Sequence, residues 1–478
     1  MAKDFIVAIE LGSSKITGVA GKKNPDGSIT VLAVAKEDST SCMRKGAVYN
    51  IDKTAQALTN IISKLRTSLQ TDITRVYVGV GGQSLRGMKN VVVKDLPSDT
   101  VVTQDMINEI MDANRCMKYS DYEVLDAITQ EYKVDMQDEL DPVGVQAQHI
   151  EGNFLNLLWR KAFNRSLNKC FDNAGIPIEE MYVTPLAMAD EVLTEAEKRA
   201  GCMLIDFGAD TTTIAIYTRD ILRHLSVLPL GSNNITKDLE SLQMDEKEAE
   251  AMKLKYASAY TETADIDASM VWAIDKNRSV KSRLFIEVVE ARMLEIIENV
   301  WYQVPTEYAD KLLGGIVITG GGSNMRNIEE AFRRHTQIEK VRVAKFVTFS
   351  ITPETAKITL PHDGTMNGVL SILAKGDINC AGNDLNRTLF DDDPTVSQPN
   401  GGTAGAQPTA GAQPSGQTPQ GTARNTPQQN AKPGQAAATT GEEPEEDSGN
   451  SRKPRKNIMG KFGNFLKNFG KAIIEEDK

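Results

Sequence analysis

Two copies of one strand–turn–strand pattern, at residues 5–20 and 203–217, limit what this chain can fold into more than any other feature. Each copy has an apolar run, an acidic residue two positions before a glycine, a short polar turn and a second apolar run. This order predicts a buried strand, a tight turn and an antiparallel partner strand. A repeated hairpin indicates a duplicated domain, with the two turns facing each other across a cleft.

The chemistry of the two turns suits the phosphates of a nucleotide. Successive backbone N–H groups of a turn form a concave anion site, and glycine lets an anion approach the backbone. Glu10 and Asp206 would hold Mg²⁺ directly or through water, and Lys15 would add a positive charge near the outer phosphates. The other turn residues predicted to contact the ligand are Gly12, Ser13, Ser14, Gly208, Ala209, Asp210 and Thr211. The alternative is that an acid-x-glycine pattern only ends a strand.

A third glycine-rich turn follows an apolar strand at residues 315–319. Gly320, Gly321 and Gly322 stand between this strand and a predicted helix, where they would let a flat ligand lie close to the backbone. Glycine-rich turns between strands and helices are common. This turn therefore gains its meaning from the two hairpins that precede it.

Length and composition narrow the class of protein. A chain of 478 residues is long enough for two or three domains. The formal net charge of −11 argues against general nucleic-acid binding. The chain has five cysteines, without a Cys-x-x-Cys pair, and four scattered histidines. This pattern predicts neither a disulfide framework nor a metal cluster, and it favours a protein of the reducing cytosol.

Strands alternate with helical patterns up to about residue 385, as in an α/β protein. Residues 84–164 look like a small inserted subdomain, and residues 258–282 are polar without a regular pattern. Predicted helices lie at 54–69, 103–117, 155–174, 234–242, 246–256, 285–304 and 327–335. Predicted strands outside the hairpins and the third turn lie at 75–82, 91–93, 127–134, 143–150, 178–183 and 221–229.

The last part of the chain has a different composition. Residues 391–450 are rich in Pro, Gly, Gln, Ala and Thr, which predicts a disordered linker. Residues 451–478 carry eight Lys or Arg against three acidic residues. An apolar stripe at helical spacing consists of Ile458, Met459, Phe462, Phe465, Leu466, Phe469 and Ile473, with Lys461, Lys467 and Lys471 elsewhere around the helix. This pattern is typical of an amphipathic helix on an anionic membrane; the alternatives are docking on the protein itself or in a partner's groove.

The ordered set of two phosphate hairpins and a glycine turn resembles the actin-like ATPase superfamily. Within it, the chain is similar to the FtsA family of bacterial cell-division proteins, through segments at 8–15, 76–82, 141–144, 248–253 and 288–292. The resemblance implies an α/β, actin-like duplicated ATPase fold with two domains around a nucleotide cleft, a disordered linker and a C-terminal amphipathic helix. The implied cofactors are ATP and Mg²⁺. The resemblance also places Glu250 and Lys253 on a helix beside the adenosine, although a solvated helix face with charge pairing would give the same pattern.

The resemblance further implies a division of the chain. The first core domain would take residues 1–83, 165–195 and 362–385, and the second would take residues 196–235 and 311–361. The inserted subdomain is predicted at 84–164. A second small subdomain, at 236–310, would capture the C-terminal peptide of FtsZ, with Arg283 and Arg292 as possible contacts.

Three features depart from the wider superfamily. Glu10 stands where an aspartate is usual, which shifts the carboxylate by about one bond length. Residues 183–191 contain no glutamine to orient a water, so no catalytic base is named and ATP hydrolysis is expected to be slow or absent. Asp210 would repel phosphate oxygens unless it points away from them or meets Mg²⁺.

By this resemblance, the chain would be a peripheral protein on the cytoplasmic side of the inner membrane at the division septum. It would polymerise into filaments, tether FtsZ to anionic lipids and meet other division proteins, but not nucleic acid. The principal alternative is a small-molecule kinase of the same superfamily, which has no evident use for a tethered amphipathic helix. A chaperone-like ATPase is a third possibility, but no separate β-rich domain follows residue 385.

Overall fold

The computed structural model of this chain describes residues 4–267 and 269–384. The predicted linker at 391–450 and the predicted amphipathic helix at 451–478 lie outside the described residues. Within the described part, no helix is both long and apolar enough to cross a membrane.

Residues 6–80 form seven strands, of which the first two make the hairpin, and one covering helix. The elements are β1 (Ile6–Leu11), β2 (Lys15–Lys23), β3 (Ile29–Asp38), β4 (Met43–Arg44), β5 (Ala47–Val48), α1 (Ile51–Leu69), β6 (Thr71–Ile73) and β7 (Val76–Val80). Helix α1 buries the predicted apolar stripe, including Leu58 and Leu65. It begins at Ile51, before the predicted start at residue 54, because the Asn50 side chain accepts a 2.9 Å hydrogen bond from the Lys53 amide and caps the first turn.

Residues 86–160 form an antiparallel sheet with one helix. The elements are β8 (Arg86–Val101), α2 (Gln104–Arg115), β9 (Tyr122–Val134), β10 (Gln137–Glu139) and β11 (Gln146–Arg160), with strand order β10-β9-β11-β8. The helix predicted at 155–174 is wrong in its first part, because residues 155–160 continue β11 and the helix begins at Lys161. From Phe154 to Trp159 both faces of β11 are buried, so the apolar residues lack the alternation that identifies a strand.

The remaining elements run from residue 161 to residue 384. They are α3 (Lys161–Ala174), β12 (Ile178–Val183), α4 (Thr184–Val192), α5 (Glu195–Ala200), β13 (Cys202–Phe207), β14 (Thr212–Thr218), β15 (Ile221–Leu228), α6 (Ser232–Glu240), α7 (Glu246–Tyr256), β16 (Val271–Ala273), β17 (Ser279–Lys281), α8 (Ser282–Tyr302), α9 (Thr306–Ala309), β18 (Gly315–Thr319), α10 (Ile328–Thr336), β19 (Val341–Val343), β20 (Ile351–Pro353), α11 (Asn367–Lys375) and β21 (Ala381–Asp384). Short 3-10 helices lie at Thr263–Asp265 and Gly321–Asn324.

Two of the sequence-based predictions for this part need correction. The segment predicted as irregular, 258–282, contains a 3-10 turn and the β16–β17 hairpin, whose three-residue strands are too short to show a periodicity. The glycine turn after β18 leads into a 3-10 helix, and α10 starts only at Ile328. The strand at 178–183 and the helix at 246–256 are confirmed at both ends.

Each of the two hairpins belongs to a sheet of its own. One sheet has the strand order β12-β7-β1-β2-β3-β20, and the other has the order β15-β14-β13-β18-β19. In both, the first strand of the hairpin lies between its antiparallel partner and a parallel strand, β7 or β18. The predicted duplication is therefore present in the topology. The chain returns to the six-stranded sheet at β20, before the predicted domain boundary at residue 362.

The inserted sheet is attached to β15 of the five-stranded sheet. Arg223 on β15 is 6% exposed and pairs with Glu131 on β9. The Gln130 side chain donates a 2.9 Å hydrogen bond to the carbonyl oxygen of Leu222. An ion pair between the buried Arg223 and the half-buried Glu131, together with a buried hydrogen bond, thus holds the insertion against the second hairpin's sheet.

Candidate functional site

A cleft of about 550 Å³ lies between the turns of the two hairpins. The β1–β2 turn lines one wall, the β13–β14 turn lines another, and the glycine turn after β18 together with α7 completes it. All of the residues predicted to bind nucleotide line this cleft except Asp210. The sequence-based set is thus brought together in space, and its role in ligand binding stays a prediction.

The two turns have matching geometry. The amide of Gly12 donates a 3.0 Å hydrogen bond to the carbonyl oxygen of Lys15, and the amide of Gly208 donates a 2.9 Å hydrogen bond to that of Thr211. Each turn joins strands that pair in the same relative register, from Glu10 opposite Thr17 and from Asp206 opposite Thr213. The two cleft walls therefore present equivalent turns, each with a carboxylate two residues before it.

The carboxylates of Glu10 and Asp206 are close enough to influence one another. Burial, and then the charge of Asp206, raise the pKa of Glu10 to about 7; the charge of Lys15 and a hydrogen bond from the amide of Val369 partly oppose this. Burial raises the pKa of Asp206 to about 6. Two carboxylates that resist ionisation in one cleft form a favourable place for a divalent cation, since its charge would offset both.

Two glycines leave the room that these carboxylates occupy. A β-carbon on Gly368, in the first turn of α11, would overlap Oε1 of Glu10. A β-carbon on Gly320, whose φ is +84°, would overlap Oδ1 of Asp206. Gly320 of the third turn thus has a use that the sequence did not reveal, because it makes space for the Asp206 carboxylate.

Lys15 supplies positive charge inside the cleft. Burial and the nearby Lys36 lower the pKa of its amine, while Glu10 and Asp363 raise it. Among residues 4–267 and 269–384, no carboxylate lies within ion-pair distance of this amine. An unpaired lysine next to turn amides is suited to a phosphate oxygen.

The helix α7 contributes Glu250 and Lys253 to the cleft. Lys253 is 7% exposed, and its amine donates to the Thr236 hydroxyl at 2.8 Å and contacts Oε2 of Glu250 at 2.6 Å. The Thr236 hydroxyl in turn donates to the same Glu250 oxygen at 2.6 Å. The predicted charge pairing is present, but the alternative of a solvated helix face is wrong for Lys253 because that side chain is buried.

The helix that enters the cleft from the first sheet presents no acidic side chain to it. Thr184, Pro185 and Met188 of α4 line the cleft. Asp190, farther along, accepts 2.6 Å hydrogen bonds from Lys198 and Lys375 instead. Although burial opposes it, these two lysines lower the pKa of Asp190. Asp190 is therefore part of an ion-pair cluster outside the cleft.

Several residues that line the cleft were not predicted from the sequence. Asp363, Gly364 and Thr365 form a loop before α11, in which the Thr365 amide and hydroxyl donate to Oδ1 of Asp363 at 3.0 and 2.6 Å. Thr17 and Thr213 lie opposite the two carboxylates on the return strands. The loop lacks the hairpin pattern, because its acid stands directly before the glycine rather than two positions before it.

The described residues contain no group of three or more His, Cys, Asp or Glu side chains arranged for a metal ion. Beside the two hairpin turns, the cleft instead offers the carboxylates of Glu10 and Asp206. This fits Mg²⁺, which keeps several waters and binds through one or two protein carboxylates plus phosphate oxygens.

Comparisons with known proteins agree with the family resemblance. The family model described as "Cell division protein FtsA" matches residues 203–358, and the model described as "SHS2 domain inserted in FTSA" matches residues 82–158. A cell division protein FtsA from Porphyromonas gingivalis is 31% identical over 68% of this chain and 70% of its own length. One from Neisseria meningitidis is 30% identical over 68% of this chain and 80% of its own length.

A solved structure shows the same fold at low sequence identity. The PilM–PilN type IV pilus biogenesis complex matches with a TM-score of 0.53 and 14% identity, covering 77% of this chain and 97% of that one. The predicted α/β, actin-like fold class is confirmed. The sequence relatives, which share the family and most of their length with this chain, establish more than the fold: the chain belongs to the FtsA family of cell-division proteins.

Proposed function

We propose that this chain binds Mg·ATP in the cleft, polymerises, and tethers FtsZ filaments to the inner membrane at the division septum as a peripheral protein. The observation that carries the nucleotide part is the pair of matched turns, 12–15 and 208–211, on opposite walls of one cleft. Membership of the FtsA family supports the role in cell division. Contacts with other division proteins would follow from that role.

The cleft residues divide into three groups in this proposal. The amides of the two turns and the amine of Lys15 would bind the phosphates. Glu10 and Asp206 would hold Mg²⁺, which when bound offsets their charge and that of the phosphates. Glu250, Lys253 and the 320–322 turn would surround the adenosine.

The FtsZ part of the proposal concerns residues 236–310. Trp272 stacks on Tyr256 there and meets Phe285 edge to face, and the neighbouring Met270 and Val271 are 48% and 58% exposed. Arg292 is engaged by both carboxylate oxygens of Asp238, whereas Arg283 lies exposed at the start of α8 and pairs with Glu287. An exposed apolar edge beside an accessible arginine suits a short peptide with a carboxylate.

The membrane part of the proposal depends on residues 451–478. Each basic residue near an anionic surface contributes about 1 kcal/mol, and burial of the phenylalanine stripe adds several more. The lipid contacts would come from the stripe and from Lys461, Lys467 and Lys471.

Nucleotide binding is tested by Lys15→Ala and Asp206→Ala in the full chain, measured by titration calorimetry with Mg·ATP. We expect each variant to lose affinity by about 10- to 100-fold, the range for one hydrogen bond to a charged group. Lys22→Ala is the matched control, because Lys22 lies on the same strand as Lys15 but is exposed outside the cleft. Unchanged affinity in both cleft variants would mean that the phosphates bind elsewhere.

Tethering is tested by co-sedimentation with anionic vesicles in the presence of FtsZ. We expect the full chain to pellet with FtsZ, and a chain that stops before Ser451 to leave FtsZ in solution. A Phe465→Ser, Phe469→Ser variant keeps the basic charges and separates the contribution of the apolar stripe. Equal pelleting of the full and shortened chains, or no FtsZ in either pellet, would contradict the proposal.

A further inference from the structure

Asp210, the one predicted nucleotide-binding residue that does not line the cleft, makes a contact across it. Its Oδ1 accepts a 2.8 Å hydrogen bond from the Asn233 side chain, which holds it to its own side of the cleft. Its Oδ2 accepts a 3.1 Å hydrogen bond from the backbone amide of Lys45. Lys45 lies in the β4–β5 hairpin, which follows β3 of the six-stranded sheet. The Asp210 carboxylate thus faces the β4–β5 hairpin, so it would not repel a phosphate bound in the cleft.

Lys45 and Gly46 form a tight turn that contacts both hairpin turns of the proposed nucleotide site, 12–15 and 208–211, which we call the phosphate turns. They are the two-residue loop between β4 and β5, and their φ values of +52° and +70° are those of a type I′ turn. The amide of Gly46 donates a 2.8 Å hydrogen bond to Oγ of Ser13 in the first phosphate turn. Two successive amides of one turn are thus held by Ser13 from the first hairpin and by Asp210 from the second.

The turn is fixed from behind. The Gln83 amide donates a 2.9 Å hydrogen bond to the carbonyl oxygen of Lys45. Gly46 and Gly82 pack so closely that a β-carbon on either would overlap the backbone of the other. Because the turn cannot retreat, a change in the position of either phosphate turn must stretch or break one of its two hydrogen bonds.

We propose that the turn formed by Lys45 and Gly46 is a clasp between the two phosphate turns, with Asp210 as its cross-cleft anchor, and that the clasp sets how fast a nucleotide leaves. The inference rests on the proposed nucleotide site. The Ser13 hydroxyl accepts from Gly46 and keeps its own proton to donate to a phosphate oxygen. A bound phosphate and the closed clasp therefore favour the same position of Ser13, and loss of the clasp speeds release.

Hydrogen–deuterium exchange of the full chain without nucleotide tests the contact itself. Asp210→Ala is expected to speed exchange of the amides at 43–48 by about tenfold, equivalent to about 1.4 kcal/mol. Asp210→Asn keeps an oxygen acceptor and should show a smaller increase. Asp220→Ala is the matched control, since it removes an exposed aspartate in the turn between β14 and β15 that pairs with the surface Arg199. Unchanged exchange in a folded Asp210→Ala or Asp210→Asn chain, as judged by circular dichroism, would overturn the clasp.

Stopped-flow release of a fluorescent ATP analogue then tests what the clasp does. Release from Asp210→Ala should be up to about tenfold faster than from wild type, with Asp220→Ala unchanged. Faster exchange combined with unchanged release would overturn the role in nucleotide retention while leaving the nucleotide site in place. If the wild-type chain binds no Mg·ATP, the proposed function fails, and the exchange result alone decides whether the clasp exists.

Discussion

Replacing Glu10 with glutamine is expected to stabilise the ligand-free protein at alkaline pH while weakening its hold on Mg²⁺. Burial and the charge of Asp206 raise the pKa of Glu10 from 4.5 to about 7. A carboxyl group with a higher pKa in the folded chain than in the unfolded chain lowers stability as the pH rises from 4.5 to 7, and the full loss is present above pH 7. Glutamine has nearly the same shape and no charge, so it removes this loss.

The size of the effect follows from the same values. A pKa change from 4.5 to about 7 corresponds to about 3.4 kcal/mol at most. Glu10 lines an open cleft where solvent screens its charge, so a gain of about 1–2 kcal/mol in unfolding free energy is expected at pH 8. At pH 5.5, the gain should fall to roughly two-fifths of that value, because the folded protein then keeps the proton and loses little stability.

The assay is thermal unfolding of the full chain in a metal chelator at pH 8 and pH 5.5. The Glu10→Gln melting temperature should exceed that of wild type by about 2 °C at pH 8 and by less than half of that at pH 5.5. With Mg·ATP at pH 8, the order should reverse, because wild type gains more from the ligand. Glu354→Gln, at an exposed site outside the cleft, is the control. A variant that melts below wild type at pH 8, or whose gain is equal at both pH values, would refute the reasoning.

Acidification should weaken Mg²⁺-dependent nucleotide binding, because the two cleft carboxylates, with pKa values raised to about 7 and about 6, must lose their protons to hold the ion; calorimetry showing equal affinity at pH 8 and pH 6 would contradict this. Gly368→Ala should reduce Mg²⁺-dependent binding, since the added methyl group would displace the Glu10 carboxylate, and a titration with MgCl₂ at fixed ATP measures the loss. Arg223→Ala should destabilise the chain by about 2 kcal/mol, because it removes a buried side chain together with its ion pair to the half-buried Glu131. Arg199→Ala, which breaks an exposed pair, should change the melting temperature little, and similar shifts in both would argue against the buried contact.

The site was predictable from sequence where its chemistry lies in short continuous motifs. Both hairpins and the third glycine turn carry their carboxylate, glycine and polar residues within a few positions, so the motif and the site coincide. The 363–365 loop joins the cleft only because β20 and α11 return the chain to the six-stranded sheet. No local sequence pattern indicates that the chain returns to this sheet. The contact from Asp210 to Lys45 was unpredictable for the same reason, since its two partners are 165 positions apart.

Helices and strands were predictable where one face of the element is buried and the other is exposed to solvent. Helix α1 shows its stripe clearly because its opposite face is exposed. The end of β11 was mistaken for a helix because it is buried on both faces, which removes the alternation. The β16–β17 hairpin was not predicted for the opposite reason: its six strand residues include only one buried side chain, Val280.

Two opposing forces act across the cleft, and a cation would change their balance. Glu10 lies one residue before the end of β1 in one sheet and Asp206 one residue before the end of β13 in the other, so repulsion between their charges opposes closure of the cleft. The bond from the Lys45 amide to Asp210 draws the same walls together. Glu10 and Asp206 would hold a divalent ion whose charge would offset this repulsion while the attraction remains. Closure of the cleft should therefore follow the metal and the phosphates rather than the adenine base. We therefore expect Mg²⁺ with tripolyphosphate to slow hydrogen exchange at 43–48 at pH 8, and adenosine alone to leave it unchanged. Equal protection by adenosine would mean that the walls are drawn together from the α7 side of the cleft instead.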